Sequence, residues 1–412
     1  MKTLKNNFLL LLTVIVLNPV LTAYSDDYHY INNNIGNRAT GLGGAYTAIS
    51  DDTAGCYYNP AGIAFASSNK MSASVNTIQT STKEYKGVLQ GTDGSRKSWE
   101  QESFNLLPNF FGIVQKFGPG MMGLSYAVPE AIERRQKQTF TNIQGASAID
   151  MVSINTNDND KSYFMGPSYA LKINDSLAIG TTLYYYYRDT ELITNYYFDF
   201  ASGDTRIFNR YSTKKSHGFK PNIGVIWEPV ENIALGLSMS KLWITSTDLE
   251  IQTINNDNID PSILTLDQFE SSHKDDQPLS TNLGLAWFYS PSLLFSLDLK
   301  YVEEVYDKQY VLNGSFGTEY YLNDFIALRG GFYTDLANTP DLTKGVANTY
   351  NEHLDIYGTN VSCTFFSGQT SLTLGLAYSF GSGDSQIVSG NTDIYDVDYE
   401  NISFQIATSF SY

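Results

Sequence analysis

From Lys70 to the last residue, apolar and polar side chains trade places at every second position. The final segment shows it best. Ile402, Phe404, Ile406, Thr408, Phe410 and Tyr412 fall on one face, and Ser403, Gln405, Ala407, Ser409 and Ser411 on the other. Ser371 to Phe380 and Leu293 to Tyr301 repeat the pattern, with leucines and aromatics set against Ser, Thr, Asp and Lys. A period of two is the signature of the β-strand, whose side chains point alternately to opposite faces of a sheet. No segment beyond the amino-terminal region is apolar for 18 residues, so no spanning helix is encoded there.

Alternation alone fits a soluble sandwich as well as a membrane barrel. The connections separate the two. Strands are predicted near 70–81, 104–117, 121–129, 161–173, 177–190, 215–228, 232–245, 278–289, 292–304, 308–321, 324–334, 353–367, 370–381 and 401–412. Gly118-Pro119-Gly120, Asn174-Asp175-Ser176, Glu228 to Glu231, Ser290-Pro291, Leu322-Asn323 and Ser367 to Gln369 make tight turns. Longer loops follow one strand later, near 82–103, 130–160, 191–214, 246–277, 305–307, 335–352 and 382–400. An even strand count, with short turns on one rim and long loops on the other, is the plan of an outer-membrane barrel. A further strand pair within 191–214 would raise the count to sixteen. The plan puts the short turns, and with them both termini, on the periplasmic side. The 30 tyrosines supply rings that settle at membrane–water interfaces. A mean hydropathy of −0.23 suits a barrel, whose strands need lipid-compatible residues only at alternate positions. The expected fold is all-β: a transmembrane antiparallel β-barrel of about fourteen strands over residues 67–412. It is expected to be a monomeric, multi-pass protein among the lipids of a Gram-negative outer membrane.

Two segments precede the barrel. Lys2 and Lys5 stand before the apolar run Phe8 to Leu17, Asn18-Pro19 breaks it, and Ala23 offers a small residue for cleavage. Residues 1–23 therefore read as a secretory signal peptide. Gly36 to Phe65 does not alternate. It is rich in Gly and Ala and carries Asn59-Pro60-Ala61-Gly62. Residues 24–66 are expected to form a hatch inside the lumen, with Gly41, Gly43 and Gly44 letting its backbone press against the wall.

The chemistry-bearing residues point away from catalysis. Four histidines stand far apart without metal-ligand spacing, and no nucleophile elbow occurs. No catalytic residues, no metal and no cofactor are expected. The net charge of −17 argues against nucleic acid, whose phosphates need a basic footprint. Cys56 and Cys363 are the only cysteines. The apolar face of Tyr357, Val361, Cys363 and Phe365 aims Cys363 at lipid, which argues against a bridge to an internal Cys56. Arg188, Lys300 and Arg329 fall on the lumen face, either receiving a ligand carboxylate or pairing with acidic neighbours. The acidic stretch 246–277 also carries Ile251, Ile254, Ile259, Ile263, Leu264, Leu266 and Phe269. It reads as a solvated loop without calcium-loop spacing, as a small helical cap, or as a landing site for an apolar ligand.

Gly41-Leu-Gly-Gly-Ala-Tyr46, Ser50-Asp-Asp52 and Tyr58-Asn-Pro-Ala-Gly62 resemble the hatch of the FadL family of outer-membrane transporters for long-chain fatty acids and other hydrophobic compounds. The likeness continues in Pro221 to Pro229, Ile233 to Leu237, Leu283 to Phe288, Leu328 to Phe332 and Leu372 to Tyr378. The resemblance implies a fourteen-stranded barrel closed by a hatch. It implies capture of a hydrophobic, fatty-acid-like ligand at the outer loops and passage to a lumenal pocket. Release would be sideways through the wall beside a kinked third strand, here about Met121 to Pro129, with Gly123 and Pro129 as candidate kink positions. Arg38 to Ala45 and Tyr57-Tyr58 also resemble FadL-like barrels of type IX secretion, which implies the alternative of binding partner proteins for export.

Overall fold

The computed structural model describes residues 28–31, 33–67, 69–144, 149–258, 265–272, 276–306, 308–387 and 392–412; the leader predicted at 1–23 lies outside them. The strands are β1 (Lys70–Gln90), β2 (Arg96–Phe117), β3 (Gly120–Ile143), β4 (Ile149–Asn174), β5 (Leu177–Phe200), β6 (Thr205–Val230), β7 (Ile233–Asp257), β8 (Thr265–Ser272), β9 (Asp276–Ser290), β10 (Leu293–Val302), β11 (Val311–Asn323), β12 (Ile326–Asp335), β13 (Glu352–Ser367), β14 (Thr370–Ser385) and β15 (Tyr395–Ser411). Each pairs antiparallel with its neighbour, β7 meets β9, and β1 meets β15 to close the ring. Among the described residues the ring holds fourteen strands, because β8 pairs only with the far half of β7.

The alternation sorts the faces as lipid and lumen require. Leu372, Leu374, Leu376 and Phe380 are exposed on the outer face of β14, while Ser371, Thr373 and Ser379 are buried inside. Exposed Phe117, Trp227, Trp287, Tyr289, Phe325 and Tyr412 gather at the short-turn rim. Trp243, Tyr301 and Phe380 mark a second belt higher up. The interval between belts is about nine residues, the length that a tilted strand needs to cross a bilayer.

Beyond the upper belt the barrel is lopsided. β3 to β7 run 24 to 26 residues each, whereas β10 and β12 run 10. The stretches predicted as loops at 82–103, 130–160 and 191–214 are mostly strand. They lie above the bilayer, where both faces of a sheet can be polar, so the alternation that marks a spanning strand is weak there. Residues 191–214 continue β5 and β6 around a turn and add no pair to the ring. Within 246–277 the described residues form the β7–β8 hairpin, not a helical cap.

The amino-terminal end departs from expectation. The Asn338 amide donates to the Tyr28 carbonyl at 2.9 Å and His29 Nε2 meets the Leu354 carbonyl at 2.7 Å. Tyr28 therefore sits among the long connections, and residues 33–35 lie against the hatch in the lumen. The carboxy terminus lies at the short-turn rim, where the Tyr412 amide donates to the Asn69 carbonyl. Tyr30 and Ile31 are held there because Asp335 accepts from both of their amides and Lys300 Nζ donates to the Tyr30 carbonyl.

Both cysteines are free thiols. Cys56 is fully buried in the hatch, and burial pushes its thiol up to about 11, so it is neutral near pH 7. Cys363 lies on the outer face of β13, whose inner face carries buried Ser362 and Thr364. A lipid-soluble maleimide is expected to label one thiol in the folded protein and two after denaturation, with reductant leaving gel mobility unchanged. Labelling of both thiols in the folded state would contradict this packing.

Candidate functional site

The hatch comprises α1 (Asn37–Gly41), α2 (Gly55–Tyr58) and a 3-10 helix (Pro60–Phe65). Asn59 starts the 3-10 helix: its Oδ1 accepts from the Ala61 amide at 3.1 Å, and Pro60 takes the first helical position, where no amide donor is needed. The Asn59 side-chain amide donates to the Thr47 carbonyl at 2.8 Å and to the Val225 carbonyl of β6 at 3.0 Å. One fully buried asparagine thus caps a helix, folds the hatch on itself and fastens it to the wall.

The wall receives this backbone through glycines. A Cβ at Gly180 would collide with the Pro60 backbone, at Gly224 with Asn59 Oδ1, at Gly236 with the Thr47 carbonyl, and at Gly331 with Leu42 and Gly43. At Gly284 it would meet Ala48 N at 2.7 Å and at Gly317 the Leu42 carbonyl at 2.6 Å. Strands on most of the circumference therefore present bare backbone where the hatch leans on them. On the hatch side, Gly41 faces Ser362 and Arg329, and Gly43 (φ +65°) lies against the Phe332 backbone. Gly44 (φ +84°) faces the Asn34 side chain, and Gly62 packs on the Ser50 carbonyl, beside buried Pro60 and Ala61.

Charge fixes the other side. Arg38 on α1 donates Nε and Nη2 to buried Glu319 of β11 at 2.9 and 2.8 Å, and Nη1 to Asp51 at 2.7 Å. Arg329 of β12 meets the same Glu319 at 2.5 Å and bonds Thr364. Asp298 of β10 accepts from the Tyr46 and Thr47 amides at 2.9 and 2.8 Å.

These contacts decide among the lumenal cations singled out in the sequence. Arg329 is committed to Glu319. Arg188 forks onto buried Asp160 at 2.9 and 2.7 Å and lies 3.9 Å from Glu130. Lys300 is spent on the Tyr30 carbonyl at 2.8 Å. Lys220 of β6 was not singled out. Its Nζ lies over the rings of Tyr57 and Phe164, 5.4 and 5.0 Å from their centroids. Among the described residues no carboxylate forms an ion pair with it. Lys220 was missed because Phe219 and Pro221 obscure the alternation around it.

The rings under Lys220 belong to one apolar cluster. Tyr57 and Tyr58 of α2, Phe164 of β4, and Tyr184 and Tyr186 of β5 pack together, with Phe164 and Tyr186 centroids 5.1 Å apart. The same cluster includes Phe110 of β2 and Ala127 of β3. There the wall is interrupted. β2 and β3 pair from Phe117↔Gly120 up to Phe110↔Ala127 and again at Ser103↔Arg134, with no pairing between. The register is the same on both sides of the break, and it sets Pro108 opposite Pro129. Neither proline has an amide proton to give the ladder. Asn109 and Phe110 are consecutive buried residues, as are Ala127 and Val128, and β3 gains one residue on β4 between Ala127 and Glu130. Both strands therefore bulge inward at the break. Pro129 lies in it; Gly123 does not. Gly123 is regularly paired on both sides and accommodates Cys56, whose Sγ lies 2.6 Å from where a Cβ would stand. On the outer surface Phe104 and Leu106 are exposed beside the break, near the upper belt. A separate depression of about 460 Å³, lined by Ile179, Ile223 and Leu237, opens on the lipid face and does not join the cluster.

A closed barrel, an internal hatch, a lumenal apolar cluster and a seam in the wall define an outer-membrane channel for apolar molecules. Residues 32–249 match the family described as outer membrane protein transport protein (OMPP1/FadL/TodX), and the chain belongs to that family. It is an outer-membrane transport channel for hydrophobic compounds in a Gram-negative bacterium, and it is not an enzyme. Its fold is similar to that of a Pseudomonas aeruginosa FadL homologue, with TM-score 0.66 and 14% identity over 93% of this chain and 99% of that one. It is similar also to the Pseudomonas putida toluene transporter TodX, with TM-score 0.61 and 12% identity over 92% and 98%. The Ralstonia pickettii toluene transporter TbuX gives TM-score 0.57 and 12% identity over 92% and 99%. No curated protein matches the chain.

Removing one partner of a buried charge cluster leaves the rest uncompensated, at a cost of about 3–5 kcal/mol. Glu319→Ala is therefore expected to loosen the hatch while the barrel keeps its heat-modifiable gel migration. Planar-bilayer conductance should then show large, noisy openings absent from the wild type. Asn59→Ala removes a cap worth about 1 kcal/mol and strands the Val225 carbonyl. It should make the hatch a target of limited proteolysis and lower uptake; an intact hatch with unchanged uptake would refute the role given to Asn59.

Proposed function

We propose that the cargo is an apolar chain with a carboxylate head, as in a long-chain fatty acid. One observation carries this: Lys220 stands among aromatic rings and, among the described residues, forms no ion pair with a carboxylate, at the edge of an apolar cluster that runs to the seam. A neutral hydrocarbon has no use for an ammonium group in such a place, because a cation in an apolar surround needs an anion or water. The head would sit at Lys220, with Tyr57 and Phe164 below it. The tail would lie against Phe164, Tyr184 and Tyr186, toward Phe110 and Ala127. Release then runs through the break between β2 and β3 into the bilayer, without crossing the hatch. The fatty-acid transporters that the sequence resembles, and the toluene transporters that the fold resembles, mark the two ends of this choice.

The test compares radiolabelled oleate with radiolabelled toluene in cells expressing the protein or an empty vector. Lys220→Met is expected to cut oleate uptake about tenfold or more, the worth of a hydrogen bond to a charged group, and to leave toluene uptake unchanged. Equal loss of both substrates, or no loss of oleate uptake, would remove Lys220 from head-group recognition. Defective protein export on deletion, with oleate uptake intact, would favour the protein-handling alternative.

A further inference from the structure

The break between β2 and β3 is bridged by side chains. Asn105 of β2, buried, donates its side-chain amide to the Ala131 carbonyl of β3 at 2.7 Å, inside the interval that lacks backbone pairing. Four residues along β2, Asn109 is held by the Ser74 hydroxyl on its Oδ1 at 2.6 Å. Its Nδ2 donates to the Asn34 carbonyl at 3.3 Å. Asn34 lies on the thread of chain against the hatch, and its carbonyl also accepts from the Thr40 hydroxyl of α1 at 3.2 Å. One asparagine therefore spans the break and the other ties its lower margin to the hatch.

We propose that Asn105 and Asn109 are the positioning residues of the lateral opening. Asn105 is a latch that holds β2 to β3 where the facing prolines forbid a ladder. Asn109 makes the latch depend on the position of the hatch thread. The inference rests on the reading that cargo leaves through this seam. A single side-chain bond is the right strength for a latch. A backbone ladder over the same interval would contribute several mutually supporting bonds and would stay shut. One buried bond of this kind shifts an equilibrium by about fivefold, enough to bias the seam closed and weak enough to be opened by a passing chain. Asn109 supplies the coupling. If arriving cargo displaces the thread at Asn34, Asn109 loses its hatch partner and keeps only the Ser74 hydroxyl, which loosens the margin of the break at Pro108 on the lumen side.

The seam is measured directly with spin labels on Phe104→Cys and Glu133→Cys, which the register sets opposite each other. The background carries Cys363→Ser; Cys56 is buried and stays unlabelled. The full-length protein is studied in lipid nanodiscs by pulsed electron resonance, with and without oleate. Asn105→Ala is expected to broaden the distance distribution and move about fivefold more of it to longer separations without oleate. Asn109→Ala is expected to keep the closed distance but abolish the change that oleate causes in the wild type. Asn105→Gln, which keeps the donor on a longer arm, should partly restore the closed population. An unaltered distribution in Asn105→Ala overturns the latch, and an unaltered oleate response in Asn109→Ala overturns the coupling. Oleate uptake is measured on the same variants. Absence of uptake in the wild type defeats the transport reading while the distances still decide the latch; wild-type uptake with unmoved distances defeats the latch alone.

Discussion

The hatch can exist only because the wall lets it come close. Backbone meets backbone at Gly180, Gly236 and Gly331, and the Asn59 side chain meets the wall backbone at Gly224; at each a methyl group would already collide. This close approach lets Asn59 reach the Val225 carbonyl and lets Asp298 reach two hatch amides. The ion cluster of Arg38, Glu319 and Arg329 adds direction to the fit, since a buried carboxylate between two guanidinium groups tolerates little displacement. With the lumen stopped at this level, the proposed route brings an apolar molecule to Lys220 and the aromatic cluster, with the seam beside them.

The seam and the thread make one system. Residues 28–31 are pinned near the outer rim by Asp335, Leu354 and Asn338, and Asn34 is pinned at the break. Residues 28–31 thus touch the outer connections, and Asn34 touches both the wall and the plug. The long side of the barrel, β3 to β7, is also the side that carries the seam and Lys220, so the tall wall stands directly above the path it serves.

Much of this was legible in the sequence, for physical reasons that differ by region. The spanning strands announced themselves because lipid demands an apolar outer face at every second residue, as Leu372 to Phe380 shows. The hatch announced itself by lacking that period and by Asn59-Pro60, whose cap geometry follows from residue type alone. The upper halves of β3 to β7 were hidden because no lipid demands an apolar outer face there, although Phe140, Val152 and Ile154 are buried on one face. The far-rim position of Tyr28 was hidden because it depends on Asp335 and Leu354, some three hundred residues away. Lumenal position was readable for Arg188, Lys300 and Arg329, but availability was not. Pairing with Asp160 or Glu319 is a property of neighbouring strands, and Lys220 is distinguished by having rings and, among the described residues, no carboxylate ion pair. The break had a visible sign: Pro108 and Pro129 sit in adjacent strands about equally far from Gly118-Pro119-Gly120, so a hairpin register alone would have set them face to face.

That pairing of prolines bears on how the opening withstands genetic change. A ladder interrupted by a single proline is restored by one substitution. Here, replacing either proline returns one amide proton and leaves the opposite residue still without one, while the inward bulges at Asn109-Phe110 and Ala127-Val128 remain. Closing the wall would require coordinated changes on two strands, each of little effect alone. The break in the wall is thus buffered against point mutation, whereas the proposed latch, resting on the amide of Asn105, is open to tuning by a single residue.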